Sequence, residues 1–537
     1  MRISAPKLYR RLCEENKLPL PHLRTLRRYM KNISPTYGFD ENILQGLSKR
    51  SEGFSEAERH GCLLLDEMAL DENVKYDPAS KQFQGVVDLG KYTKEEDRTK
   101  RGNHALVIMF QPFRGKWVQT IGVFLNRGAC RGQLLQKIIV ETVGLIQQTG
   151  FEVDVVTTDG ATWNRSMWKA FGLTLDENRG VPHLDSDVPL DENSYEHPVD
   201  QSRKLMFASD FPHLVKGLWT RMVNKKQLNL NSRWLSQVNI QDWKVVHENG
   251  AKKGIKGNFT LSENHLHPTI FQKMNVRLGM QFYEARVADA MEHLKEQGVH
   301  GLADSEPTIK FIRRINSLVD ALNSRSPSDG LKADPEKKHN KTLVEFLDYL
   351  YQMEEIARSR EVLSERLSGK AFSVGENDEL SASCFLGLLM TVKTALQLVE
   401  YLTDSLDYSY LMTRRINQDA LEHFFGHIRS ACGSNNHPDP IMFIQVYRLL
   451  CTYSLIKPPR GSNVSGADML ETLLKLKDTF GEDASKKKVE LESMIDLILD
   501  GDMPFLEEEV SDFELLQTPI DHFCFNCICW LHFKKNT

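Results

Sequence analysis

Between residues 61 and about 175 the chain switches from a strand-like to a helical hydrophobic period and back, and those switches limit what it can fold into. Apolar runs at 62–65, 85–89, 105–110 and 118–125 are too short for helices and are separated by turns, as consecutive antiparallel strands would be. From 133 to 148 the apolar residues Leu134, Leu135, Ile138, Ile139, Val143 and Ile146 recur at helical spacing. Gly150 stops that helix, and 153–157 reads as a further strand. Antiparallel strands, a helix and another strand make the start of an α/β layer, around which the rest of the chain must be arranged.

Three acids stand in informative places on this frame. Asp66 ends the first apolar run, and Asp159 ends the last, just before Gly160-Ala161. Glu422 lies far downstream, three residues after Asp419 and beside Phe424-Phe425, on a helix that would bury its aromatic face. An acid at the end of a buried strand is held rigidly at a sheet edge. Three such carboxylates can hold two divalent ions, Mg²⁺ or Mn²⁺, about 3.5–4 Å apart. Each acid alone also fits an ordinary turn or helix surface, so the reading depends on their converging.

The remaining segments divide by composition. Residues 1–50 read as a helix-turn-helix segment: Pro19-Leu20-Pro21 separates two short helices, and Arg24, Arg27 and Arg28 on the second are candidate DNA contacts. Such local basic surface is needed because the formal net charge of −5 supplies no global attraction for nucleic acid. The α/β part spans 51–180, and 176–202 is an acidic, polar loop. Residues 205–400 read as mostly helical, 405–456 as helical again, and 457–537 as a weakly packed tail. Near the start of the helical part, Asp210 precedes Phe211-Pro212, with Lys216 about a turn further on. A capped helix start with a nearby Lys favours a phosphate, although a simple amphipathic helix gives the same pattern. The phosphate loop GxxxxGK[ST] occurs nowhere. Most of the nine cysteines are scattered, which suits a reducing compartment. Cys524, Cys527 and Cys529 cluster near the end, with His522 as a further candidate ligand, but this falls short of a clear zinc set. No signal-peptide pattern and no sustained apolar run indicate a membrane.

Five motifs occur in order: Leu64-Leu65-Asp66-Glu67-Met68, Gly85-Val86-Val87-Asp88-Leu89-Gly90, Thr158-Asp159-Gly160-Ala161-Thr162-Trp163-Asn164, Asp210-Phe211-Pro212-His213-Leu214-Val215-Lys216, and Asn417-Gln418-Asp419-Ala420-Leu421-Glu422-His423-Phe424-Phe425. In this order they resemble the P element and THAP-domain transposase family over roughly residues 1 to 455. The resemblance implies an RNase H-like α/β catalytic domain interrupted by a largely helical GTP-binding insertion. It implies that Asp66, Asp159 and Glu422 form a metal-binding triad. It also implies that Asp210 and Lys216 contact a guanine nucleotide, and that Asp419 lies near the nucleotide's metal. GTP would then be an assembly cofactor that is not hydrolysed. Transposon ends, target DNA and further copies of the chain are the expected partners, and the nucleus the expected location. No Cys/Cys/Cys/His set of the THAP type precedes Asp66, and the tail after about 455 departs from the family's charged C-terminal domain. Two alternatives therefore stand beside an active transposase: a domesticated DNA- or partner-binding protein, and a GTP-binding regulator.

Overall fold

The computed structural model describes residues 37–77, 81–115, 117–173, 193–228, 237–252, 260–368, 382–432 and 435–453. Arg24, Arg27 and Arg28, the terminal cysteine cluster and the tail 457–537 lie outside the described residues.

The centre is a seven-stranded sheet in the order β1-β6-β5-β2-β7-β9-β8. Its strands are β1 (Gly38–Phe39), β2 (His60–Ala69), β5 (His104–Pro112), β6 (Gln119–Asn126), β7 (Glu152–Thr158), β8 (Ser194–Glu196) and β9 (Lys204–Ser209). A separate hairpin, β3 (Lys75–Asp77) with β4 (Gln82–Gln84), follows β2. Strands β2, β5 and β6 pair antiparallel, whereas β7 joins β2 in parallel and β9 joins β7 in parallel. This antiparallel start with a parallel continuation is the RNase H-like arrangement.

Side chains alternate across the sheet, so each strand feeds two cores. Leu63 and Leu65 of β2 and Val156 of β7 pack with helices α2 (Gly132–Gln148) and α3 (Thr162–Ala170). Cys62 and Leu64 of β2 and Val155 of β7 face the other side. That side is covered by α4 (Phe211–Lys225) and a long helix, Ala382–Leu406. Gly387 lets this long helix approach closely: a Cβ there would come within 2.6 Å of Leu214 and 3.2 Å of Ser209. Thr391 Oγ1 accepts the Ser209 N–H at 3.0 Å, and Thr394 Oγ1 donates to Phe207 O at 2.6 Å. By length and composition the helix could cross a membrane, but 78% of its apolar window is buried in the protein, so it is a core helix.

The insertion begins with α4 and runs to that long helix. It contains α5 (Ile240–Lys252), α6 (Val276–Phe282), α7 (Ala285–Glu296), α8 (Glu306–Leu322) and α9 (Lys338–Ser368). The Ala382–Leu406 helix is α10, followed by α11 (Asp419–Ala431) and α12 (Pro440–Tyr453). Ile309, Ile312, Ile315 and Leu322 form the buried stripe of α8. Trp243 stacks on Phe282 with ring centroids 4.4 Å apart and donates its indole N–H to Phe282 O at 3.0 Å.

The structure moves several boundaries. Residues 38–51 belong to the α/β unit, because β1 pairs with β6 and α1 (Glu41–Ser51) packs on α2, so the 1–50 segment is too long. The insertion begins after β9, since that strand is part of the central sheet, and α10 returns to cover it. The run 85–89 makes isolated bridges from Val86 to Arg101 and from Asp88 to Leu125 and is not a strand.

One irregularity sets the geometry of the site. The β2–β7 register reads Gly61↔Val153 and then Cys62↔Val155, so Asp154 is an extra residue. Its buried carboxylate accepts from Arg203 Nη2 at 2.6 Å and contacts His60 Nδ1 at 2.9 Å, and Arg203 also bonds to Glu152. Removing one member of a buried ionic set leaves the others uncompensated, at a cost of about 3–5 kcal/mol. Asp154→Ala is therefore expected to lower unfolding stability by that order in urea titration. A loss under about 1 kcal/mol would show that Glu152 alone satisfies Arg203.

Candidate active site

The parallel register carries two acids to one edge. Leu64 pairs with Thr157, so Asp66 and Asp159 each lie two residues further along neighbouring strands and share the parity of Leu64 and Thr157. Gly160 then turns the chain into α3 at φ +72°, a conformation that favours glycine. The third acid comes from α11. The turn before that helix (Thr413–Ile416) is fixed to the sheet by Thr157 Oγ1, which donates to Ile416 O at 2.9 Å. Glu422 sits in the first turn of α11, where a negative charge also suits the helix dipole.

The acids share one electrostatic environment. Burial pushes the Asp66 carboxyl up to about 7; Asp159 and then Glu422 add to the rise, while the Glu67 N–H and His213 oppose it. Burial also raises Glu422. Lys216 points into the same region. Burial lowers its pKa against the pull of Glu422, Asp210, Asp159 and Asp66. Glu67, on the opposite face of β2, accepts the Cys130 N–H at 3.0 Å, and burial brings it too to about 7.

Each acid is at present engaged by protein donors. Asp66 Oδ1 accepts the Glu67 N–H at 2.7 Å. Asp159 Oδ1 accepts from the Ala161 N–H at 2.9 Å and Asn164 Nδ2 at 2.5 Å. Glu422 Oε1 lies 3.5 Å from His213 Nε2. Among the described residues no three His, Cys, Asp or Glu side chains stand close enough to hold an ion as they are. The structure thus brings the three acids into one charge cluster without assembling a coordination sphere. The donor type, oxygen from carboxylates, suits a hard divalent cation. Burial is the main reason Asp66 holds its proton, and a bound cation would offset both that burial and the added charge of Asp159 and Glu422.

The predicted nucleotide contacts are placed less uniformly. Asp210 is buried with both oxygens in use: Oδ1 accepts the Gln418 N–H at 2.7 Å, and Oδ2 faces the His213 N–H at 3.1 Å and His213 Nδ1 at 2.6 Å. It caps a helix, and its carboxylate already joins α4 to the start of α11. Asp419 Oδ2 accepts from Arg414 Nε and Nη2, each at 2.5 Å. A cleft of about 700 Å³ opens nearby, lined by Asn323, Ser324, Arg325, Lys332, Lys338 and His339. Arg325 of this cleft faces Arg414 and Asp419.

The sequence reading gave no role to His213, Gln418, Glu67 or Arg414. His213 and Gln418 lie inside the quoted motifs, and a His at the third position of a capped helix was the available signal. Burial alone would lower the His213 pKa, but the hydrogen bond and charge of Asp210, with Glu422 beyond, outweigh it and leave it raised.

Comparison with known proteins follows this division of the chain. The description "TNP-like, RNase H N-terminal domain" matches residues 35–172, "TNP-like, GTP-binding insertion domain" residues 213–338, and "TNP-like, RNase H C-terminal domain" residues 415–448. Together they cover more than half of the chain. It belongs to the P element and THAP-domain transposase family.

Among relatives in this transposase family, the DNA transposase THAP9 of Homo sapiens is 24% identical over 441 residues, covering 80% of this chain and 45% of that protein. The Transposable element P transposase of Drosophila melanogaster is 23% identical over 448 residues, covering 83% of this chain and 51% of that protein. The chain thus spans about half the length of both curated relatives. The Drosophila P element transposase strand transfer complex shares the fold, with a TM-score of 0.65 at 19% identity over 85% of this chain and 90% of that one.

The raised Asp66 pKa has a signed consequence. An unfolded Asp releases its proton near 3.8, whereas folded Asp66 holds it to about 7. Over that interval the folded state binds more protons, so stability falls as pH rises, and the full penalty applies above it. Asp66→Asn should raise the melting temperature of the metal-free protein at pH 8, and the gain should vanish toward pH 4. Melts in chelator across that range test this; an equal gain at every pH would remove the electrostatic cause.

Proposed function

We propose that this chain is the catalytic core of a DNA transposase, acting in the nucleus on transposon ends and target DNA as an assembly of several copies. The observation that carries this reading is that Asp159 and Glu422 both act on the charge of Asp66, within a chain of this family. In the proposal the three carboxylates hold Mg²⁺ or Mn²⁺, which when bound would activate a water or a 3′-hydroxyl and stabilise the leaving oxygen of a phosphodiester.

The chain's own contribution is position and charge. Asp66 and Asp159 are fixed by neighbouring strands, and Glu422 by a helix pinned to the same sheet. Lys216 supplies a cation beside the acids, where it can meet a phosphate. We assign GTP to the insertion as a cofactor that is not hydrolysed, with Lys216 and Asp419 as contacts. Asp210, which caps the start of α4, belongs to that set through the helix start it closes. A domesticated binding protein is the second reading, favoured by the absence of a ready-made ion cage among the described residues.

Two measurements test the proposal. Purified protein should nick authentic transposon ends in Mg²⁺ or Mn²⁺, and Asp159→Asn should reduce the rate by at least about 10³-fold; equal inactivity of wild type and variant would favour the domesticated reading. Calorimetry should show binding of GTP over ATP, weakened about tenfold or more by Lys216→Ala. Unchanged affinity in the variant would place the nucleotide elsewhere.

A further inference from the structure

We propose that Asp210, His213 and Gln418 are positioning residues for the three acids, and that His213 in particular sets the orientation of Glu422. The proposal rests on the reading of Asp66, Asp159 and Glu422 as metal ligands.

Two residues reach the chain next to each acid. The Asp210 N–H donates to Thr158 O at 2.8 Å, one residue before Asp159. The Gln418 side chain donates to Leu65 O, one residue before Asp66. Gln418 O accepts the N–H of Glu422 itself at 3.0 Å. Asp210 and Gln418 are joined directly, Gln418 N–H to Asp210 Oδ1 at 2.7 Å, and both are buried. One hydrogen-bonded pair therefore ties together β2, the end of β7 and the helix bearing Glu422.

His213 extends this pair to a carboxylate side chain. Its Nδ1 is held by Asp210 Oδ2 at 2.6 Å, which fixes the ring and directs Nε2 toward Glu422 Oε1, 3.5 Å away. Partners of this kind orient metal ligands, and their loss commonly costs about 10–100-fold in metal affinity. Asp210 also begins α4, the first helix of the insertion. Any shift of α4 would thus be passed to α11 through a single carboxylate.

A purely structural role for His213 would be to complete the start of α4 through Asp210. His213→Asn separates the two roles: its amide N–H can still reach Asp210, but nothing reaches Glu422. The full chain would be titrated with Mn²⁺ alone, followed by calorimetry or electron paramagnetic resonance, and each variant melted in chelator. His213→Asn should melt with wild type, bind Mn²⁺ about tenfold more weakly, and recover end cleavage at saturating Mn²⁺. Gln418→Met, which cuts the tie to Leu65 at similar volume, should also weaken Mn²⁺ binding. Wild-type Mn²⁺ affinity in His213→Asn, with only His213→Ala impaired and only in melting temperature, would reduce His213 to a helix-start residue and overturn the proposal. Glu422→Gln is the control. If it binds Mn²⁺ as wild type does, the metal-site reading itself fails, and this proposal with it; if it loses binding while His213→Asn does not, only the positioning role fails.

Discussion

A one-residue bulge in a parallel strand pair governs the whole site. Before it, β2 and β7 pair with Gly61 opposite Val153; after it, Cys62 lies opposite Val155. Extending the later register brings Asp159 level with Asp66. The earlier register would have put Thr158 there and turned Asp159 toward the opposite face of the sheet, because side-chain direction reverses with every residue. The inserted residue is Asp154, and it is not left to strain: Arg203 and His60 hold its carboxylate at the end of the sheet remote from the acids. Bulges recur next to active sites because they re-aim a side chain. Here the ionic cluster at one pole of the sheet and the acid cluster at the other depend on the same irregularity.

The insertion enters this frame at one point and leaves it at another close by. It departs after β9 and returns through α10, which packs on β9 with its threonines bonded to Ser209 and Phe207. The insertion shares one continuous hydrophobic core with that face of the sheet, running from Cys62, Leu64 and Val155 to Trp243, Ile309 and Ile312. A polar junction is added at the segment before Glu422, where Ser324 and Asn323 of the insertion meet Arg414 and Asn417. That junction adjoins both Asp419 and the basic cleft, so charge at the cleft and the placement of α11 are neighbouring matters.

Much of the central sheet was legible as periodicity. The runs 62–65, 105–110 and 153–157 lie within strands, 118–125 matches β6 to within one residue, and the 133–148 pattern is a helix, because two-sided burial and helical spacing leave a direct mark on composition. Short elements were not legible. The two residues of β1 carry no period, the hairpin β3–β4 holds its aromatics outward, and 85–89 is apolar because it crosses the sheet edge rather than joining it. Asp159 was found because a strand end is visible in sequence; Asp66 ends an apolar run but stands inside β2, which runs on to Ala69, and Glu422 lies on a helix. The protein partners of Asp210 were not legible for a physical reason: a helix start that binds a phosphate and one closed by its own Asp share the same residues. Only the hydrogen bond to Gln418, more than two hundred positions away, separates them.

That distance also has a meaning in time. Asp66 and Asp159 lie on strands that pair early along the chain, whereas Glu422 arrives only after the whole insertion has been made. Domains tend to fold as the chain emerges, from the N-terminal side onward. During synthesis the partly made sheet therefore carries two acids and lacks the third. The half-built site cannot mature until α10 has docked and α11 has reached Asp210. The cluster of three acids is thus kept incomplete by the chain's own connectivity until α11 is in place.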